Sequence, residues 1–145
     1  MSKFDAISNN EDILDSVDII GRIDYLLDLQ YTYQEHNKIE EYKGLGMSDE
    51  RWGNWESSDE GIELNTLLHI QEDCEGYVSD WGYGVPLIRE SYWVGYCKEL
   101  VADTDGLPNN LPLYIKDNID WDGVAEDLKA DYTETEFDGV TYFVR

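Results

Sequence analysis

The sequence predicts an α+β fold in which helices pack on a small antiparallel sheet that includes a C-terminal β-hairpin. Three observations carry that expectation. Apolar residues recur at helical intervals in several separate stretches. Near the C-terminus two alternating runs, TETEF and VTYFV, are joined by Asp138 and Gly139, a two-residue link that favours a tight hairpin because both positions tolerate positive φ. Hydrophobic residues make up 41% of the chain, with 5 Trp, 11 Tyr and 3 Phe, enough large apolar surface to offset ordering entropy and exclude a disordered chain. At 145 residues one domain spanning 1–145 is expected, able to bury roughly two thirds of its unfolded surface.

The elements follow in order. Ser8 and Glu11 have capping-box spacing, and Ile13, Val17, Ile20, Ile23 and Leu27 then recur at helical intervals, with Glu11, Asp15, Asp18 and Arg22 on the water side. A helical N-terminal part over about 8–43 is expected from this pattern, broken towards its end. GLGMSDERWGNWESSDEG has three glycines before Gly61 and no steady period, which predicts a loop over about 44–57. Trp52 and Trp55 either pin that loop to the body or face a partner. Ser57 and Glu60 offer a second capping box, after which Leu64, Leu67, Leu68, Cys74 and Val78 share one helix face while His69, Glu72 and Asp73 point outward.

DWGYGVPLI supplies a turn and a short apolar segment suited to a strand, and a helix over Glu90 to Asp103 is expected to bury Trp93, Tyr96, Cys97 and Leu100. Asp120 can cap the helix in WDGVAEDLKADY, with Val124 and Leu128 inward and Glu126, Asp127 and Asp131 in water. The hairpin register sets Phe137 opposite Val140, Glu136 opposite Thr141 and Glu134 opposite Phe143. The face carrying Thr135, Tyr142 and Val144 is the expected core side, and the face carrying Glu134 and Glu136 the wet one.

Cys74 and Cys97 fall inside apolar helical patterns, where a small buried thiol is favoured over a disulfide and suits a reducing compartment. The opening MSKFDAISNNED shows no basic segment followed by an apolar run, and no 18-residue apolar stretch occurs, so a soluble cytoplasmic protein with no membrane partner is expected.

Charge is the strongest bias. The net charge is −23, from 33 acidic against 10 basic residues spread along the whole chain, so it belongs to the folded surface and not to a tail. Such an excess destabilises the compact state by self-repulsion, and solubility needs a net charge of only about 2 to 8. A domain of this size has a diameter of roughly 38 Å, and duplex DNA of that length carries about 22 charges. Carboxylates on successive helical turns stand about 6 Å apart, a spacing at which they can answer a row of Arg and Lys side chains built for phosphates. The density of a DNA mimic is therefore available.

The C-terminal segment YIKDNIDWDGVAEDLKADYTETEFDGVTYFVR resembles the ending of the ArdA antirestriction family and of small acidic phage proteins related to it. The resemblance lies in Ile119, Asp120 and Trp121, then Ala125, Asp127 and Leu128, then Asp131 and Tyr132 before a terminal hairpin, and extends weakly to LIRESYWVGYCKELVAD. It covers about a third of the chain. It implies a mobile-element protein that blocks a host restriction or other defence nuclease by occupying its basic DNA-binding groove, and it leaves a homodimer open.

The expected contacts are Asp15 and Asp18 on the first helix, Glu72 and Asp73 on the second, and Asp122, Glu126, Asp127, Asp131, Glu134, Glu136 and Asp138 in the C-terminal segment. No cofactor, metal or catalytic residue is expected. His36 and His69 stand in no zinc pattern, Asp103, Asp105 and Gly106 lack the rest of a calcium loop, and no phosphate-cradling or nucleophile motif occurs. Direct nucleic-acid binding is excluded by the shortage of basic residues. Two other readings stay open: an acidic adaptor anchored by Trp52, Trp55, Trp81 and Tyr83, and adaptation to high salt.

Overall fold

In the computed structural model the described residues are 5–36, 50–103, 106–108 and 110–145. They form an α+β fold: β1 (Ile13–Asp15), α1 (Ser16–His36), α2 (Glu50–Glu56), α3 (Asp59–Glu75), β2 (Pro86–Arg89), α4 (Trp93–Asp103), α5 (Leu113–Lys116), α6 (Trp121–Leu128), β3 (Thr133–Phe137) and β4 (Val140–Val144). The strands make one antiparallel sheet in the order β1-β2-β4-β3, so β1 and β3 are its edges.

The C-terminal hairpin has the register read from the sequence, with Phe137 opposite Val140, Glu136 opposite Thr141 and Glu134 opposite Phe143. Its turn uses Asp138 at φ 49° and Gly139 at φ 83°. Both are left-handed, the conformation a two-residue link requires.

Pleating sends alternate residues to opposite faces, and each face has its own core. On one side Leu14, Leu87, Phe137, Tyr142 and Val144 join Ile19, Ile23 and Leu26 of α1 and Leu64, Leu67, Ile70 and Cys74 of α3. On the other, Ile88 and Phe143 pack with Trp93 and Cys97 of α4 and Ala125 of α6. The sheet is thus covered on both faces. The face bearing Glu134 and Glu136 was expected to be wet, but Phe143 on it is buried under Trp93 at 4.9 Å and Tyr132 packs edge-on against the same indole at 4.7 Å.

Three local expectations are corrected. The first helix begins at Ser16, not near Ser8, because residues 13–15 pair with β2 and Ser16 is consumed by tertiary bonds. Its hydroxyl donates to the Trp81 carbonyl and accepts from Val85 N–H, both at 2.8 Å, while Ser8 Oγ accepts from Asn10 N–H in a local turn.

The expected loop over 44–57 contains α2, and Trp55 is buried, its Nε1 donating to Gln30 Oε1 at 3.0 Å. The segment 37–49, which includes the expected helical continuation and the first part of that loop, lies outside the described residues, as does Asp105. The α3 cap is Ser58 rather than Ser57, its side chain accepting from Gly61 N–H at 3.1 Å. Asp120 caps α6 as expected, accepting from Gly123 N–H at 3.0 Å.

Both cysteines are free and buried. Burial, with Asp73 beside it, pushes the Cys74 thiol from 9.0 up to about 12, and burial is also the main cause raising Cys97, Tyr132 and Tyr142. The fold holds these groups protonated, whereas the unfolded chain releases their protons first. Their contribution is therefore intact below about pH 9 and falls as pH rises towards 12, by up to about 1.4 kcal/mol per pH unit for each group titrating only when unfolded. Urea midpoints are expected to stay level up to pH 9 and to drop by pH 10.5. A midpoint unchanged at pH 10.5 would mean that these side chains are hydrated.

Candidate functional surface

Folding sorts the charges by sign. Among the described acidic side chains all are exposed except Asp18 and Glu63, whereas among the described Lys and Arg side chains only Lys98 and Arg145 are exposed. Several of these cations are occupied by structural work. Arg22 is buried between α1 and α3 and grips Glu63 through Nε and Nη2, both at 2.7 Å. Arg89 Nε donates to the Asn9 carbonyl at 2.8 Å, tying the N-terminal segment to β2. Lys129 meets Glu126 at 3.2 Å and lies 5.1 Å from the centre of the Phe143 ring, and Lys98 lies 5.9 Å from that of Trp121. The outer surface is therefore more one-signed than the composition alone suggests.

The eleven expected contact residues do not form one line. Asp73, Glu134 and Glu136 line a single depression at the β3 edge together with Thr135 and Thr141, and Thr135 Oγ1 donates to Asp73 Oδ2 at 2.9 Å. That bond docks α3 on the edge strand and fixes one carboxylate beside the two glutamates. Asp138 stands exposed in the adjoining turn, and Glu72 is exposed next to Asp73 on α3.

Asp122 and Glu126, four residues apart, share one side of α6, with Asp127 about 100° further round. Asp131 follows in the turn that leads straight into β3. These residues precede the hairpin acids in the C-terminal segment and are exposed.

Asp15 and Asp18 lie elsewhere. With Glu11 they border a cavity beside β1, the opposite edge of the sheet, roughly 14 Å from β3 at the usual strand spacing. Asp15 Oδ1 accepts from Val17 N–H at 2.9 Å and so caps α1.

Glutamates on an exposed edge strand also have a plain structural effect. They discourage pairing with another strand, most strongly with a copy of the same chain.

Sequence reasoning also placed Arg22 in water and missed the acids opposite it. The buried side of α1 is set by Ile19, Arg22, Ile23 and Leu26. At 100° per residue the opposite side then carries Asp24, Asp28 and Glu35, all exposed. Their spacing of four and seven residues was the available signal. The error came from counting an Arg as polar surface when its partner lay 41 residues away.

Of the aromatic anchors, Trp55 and Trp81 belong to the core, while Tyr83 is 88% exposed. Among the described residues no three His, Cys, Asp or Glu side chains converge to hold a metal ion, and no helix is long and apolar enough to cross a membrane. Comparison with known protein families, characterised proteins and solved structures finds no match to this chain.

Proposed function

We propose that the chain is a DNA-mimic inhibitor that enters the basic DNA-binding groove of a host defence nuclease, acting in the host cytoplasm without catalysis. The observation that carries this reading is the sorting of charge: nearly all described acids outward, while Arg22, Arg89 and Lys129 are drawn into structural contacts. A surface of one sign gives fast, steered encounter with a phosphate-binding groove and suppresses binding to nucleic acid itself. The C-terminal resemblance to the ArdA antirestriction family points the same way, and the exposed C-terminal acids, centred on the depression where Asp73, Glu134 and Glu136 meet, are the part offered to the groove. An acidic adaptor held by aromatic side chains has less support, since Trp55 and Trp81 are inside the core.

The test is inhibition of DNA cleavage by a panel of purified restriction endonucleases and CRISPR effectors, with duplex DNA as competitor. Inhibition is expected to be relieved by added non-substrate duplex and to weaken steeply between about 0.05 and 0.5 M salt, as counterion-linked binding does. Changing Asp73, Glu134 and Glu136 together to their amides is expected to weaken inhibition at least about tenfold while leaving the fold intact, since each tenfold loss is about 1.4 kcal/mol spread over three exposed carboxylates. Inhibition indifferent to both duplex and salt would overturn the reading.

A further inference from the structure

The outer face of α1 is not purely acidic. Val17 is 48% exposed, Leu27 40% and Tyr31 62%, and Ile20 beside them is half-buried, with one side packed against the main core. Together with Asp24 these residues fall at 17, 20, 24, 27 and 31, a spacing of three, four, three and four. That is the seam with which one helix meets another lengthwise, each side chain entering a gap on the partner. The seam runs from residue 17 to residue 31, about 21 Å at the helical rise, with Asp28 and Glu35 along one flank.

Charge selects the occupant. Two copies of this chain paired along the seam would bring Asp24 near its own counterpart and set two net charges of −23 side by side. A cationic helix would satisfy Asp24 within the seam and Asp28 and Glu35 on the flank, while its own apolar residues cover Val17, Ile20, Leu27 and Tyr31.

We infer that the outer face of α1 docks a basic amphipathic helix of the partner protein, so that recognition adds a lengthwise apolar contact to charge attraction. This rests on the reading of the partner as a cationic protein. It adds that the partner presents a helix there, and that α1 supplies selectivity among basic proteins while the C-terminal acids occupy the groove. DNA cannot fill the apolar part of the seam, so contact at α1 distinguishes the chain from the polymer it imitates.

The experiment compares two synthetic helical peptides on the whole protein by calorimetry and by backbone NMR shifts. One carries Leu at the seam positions and Lys or Arg beside them; the other has the same charges with Ser in place of Leu. The leucine peptide is expected to bind at least about tenfold tighter, equivalent to 1.4 kcal/mol, with shifts centred on Val17, Asp24, Leu27 and Tyr31.

Leu27→Ser with Val17→Ser should abolish the preference and leave binding of the serine peptide unchanged. Asp24→Asn with Asp28→Asn should weaken both peptides, and all four positions are exposed enough for the variants to fold, which circular dichroism checks. Equal binding of the two peptides, shifts centred on α6 or the hairpin, or the same α1 shifts on concentrating the protein alone, which would make a second copy the occupant, would each overturn the inference. None of these outcomes bears on the competition between duplex DNA and the nuclease, so the two proposals fail separately.

Discussion

Trp93→Ala is expected to lower stability by about 3–5 kcal/mol, the cost of deleting a large buried aromatic side chain, and to release the layer formed by α4 and α6 from the sheet. Trp93 is 2% exposed and is the hub of the smaller core, its ring near those of Phe143, Tyr132 and Tyr96. Its Nε1 donates to the Ala125 carbonyl at 2.8 Å, so truncation removes packing and also strands a buried acceptor. A domain of ordinary stability holds only about 5–15 kcal/mol in all, and this one carries the added repulsion of a net charge of −23. Urea unfolding at fixed salt measures the loss. Trp93→Phe, which keeps a ring and gives up the N–H donor, should cost distinctly less. A truncation cost under about 1 kcal/mol would be far below the range for a buried Trp and would mean that α4 and α6 are not docked through this residue.

The smaller core also shows what could and could not be read in advance. Local chemistry was legible: the Asp138-Gly139 turn dictated hairpin and register together, and Asp120 and Trp93 stood in recognisable helical contexts. Interactions that close over long separations were not. Ser16 reads as an unremarkable polar residue until the Trp81 and Val85 backbone arrives to bond it, 65 and 69 residues on. Ile13 fits a helical period and a strand equally well, and pairing with Ile88 decides it. The same limit applies to the candidate surface. Composition announces a one-signed exterior, but which acids stand together depends on the sheet order, which separates Asp15 from Glu134, and on the docking of α3 against β3, which brings Asp73 to Glu136.

Glu63→Gln sets two electrostatic effects against each other. In a chain of net charge −23, removing a negative charge ought to relieve self-repulsion and stabilise the fold. Glu63, however, is the partner of Arg22, with two contacts of 2.7 Å and side-chain exposures of 7% for Arg22 and 15% for Glu63. The hydrogen bonds that Arg22 donates to Glu63, outweighing burial, hold the guanidinium above its ordinary range. Gln cannot supply that charge, and the guanidinium would be left buried against its own desolvation, at a cost of about 3–5 kcal/mol. Relief of surface repulsion is spread over many distant, hydrated groups and is the smaller effect, so the variant is expected to be less stable. Glu72→Gln, on the exposed side of the same helix, should be neutral or slightly stabilising. Salt separates the two contributions further, because screening weakens repulsion between exposed charges but reaches a buried pair poorly. The penalty for Glu63→Gln should therefore persist at about 0.5 M salt, where the Debye length is near 4 Å. Replacing both partners by apolar residues, Arg22→Met with Glu63→Leu, should recover most of the loss. If Glu63→Gln matched or exceeded the parent in urea midpoint, the buried pair would not be holding α1 to α3, and net charge alone would govern stability.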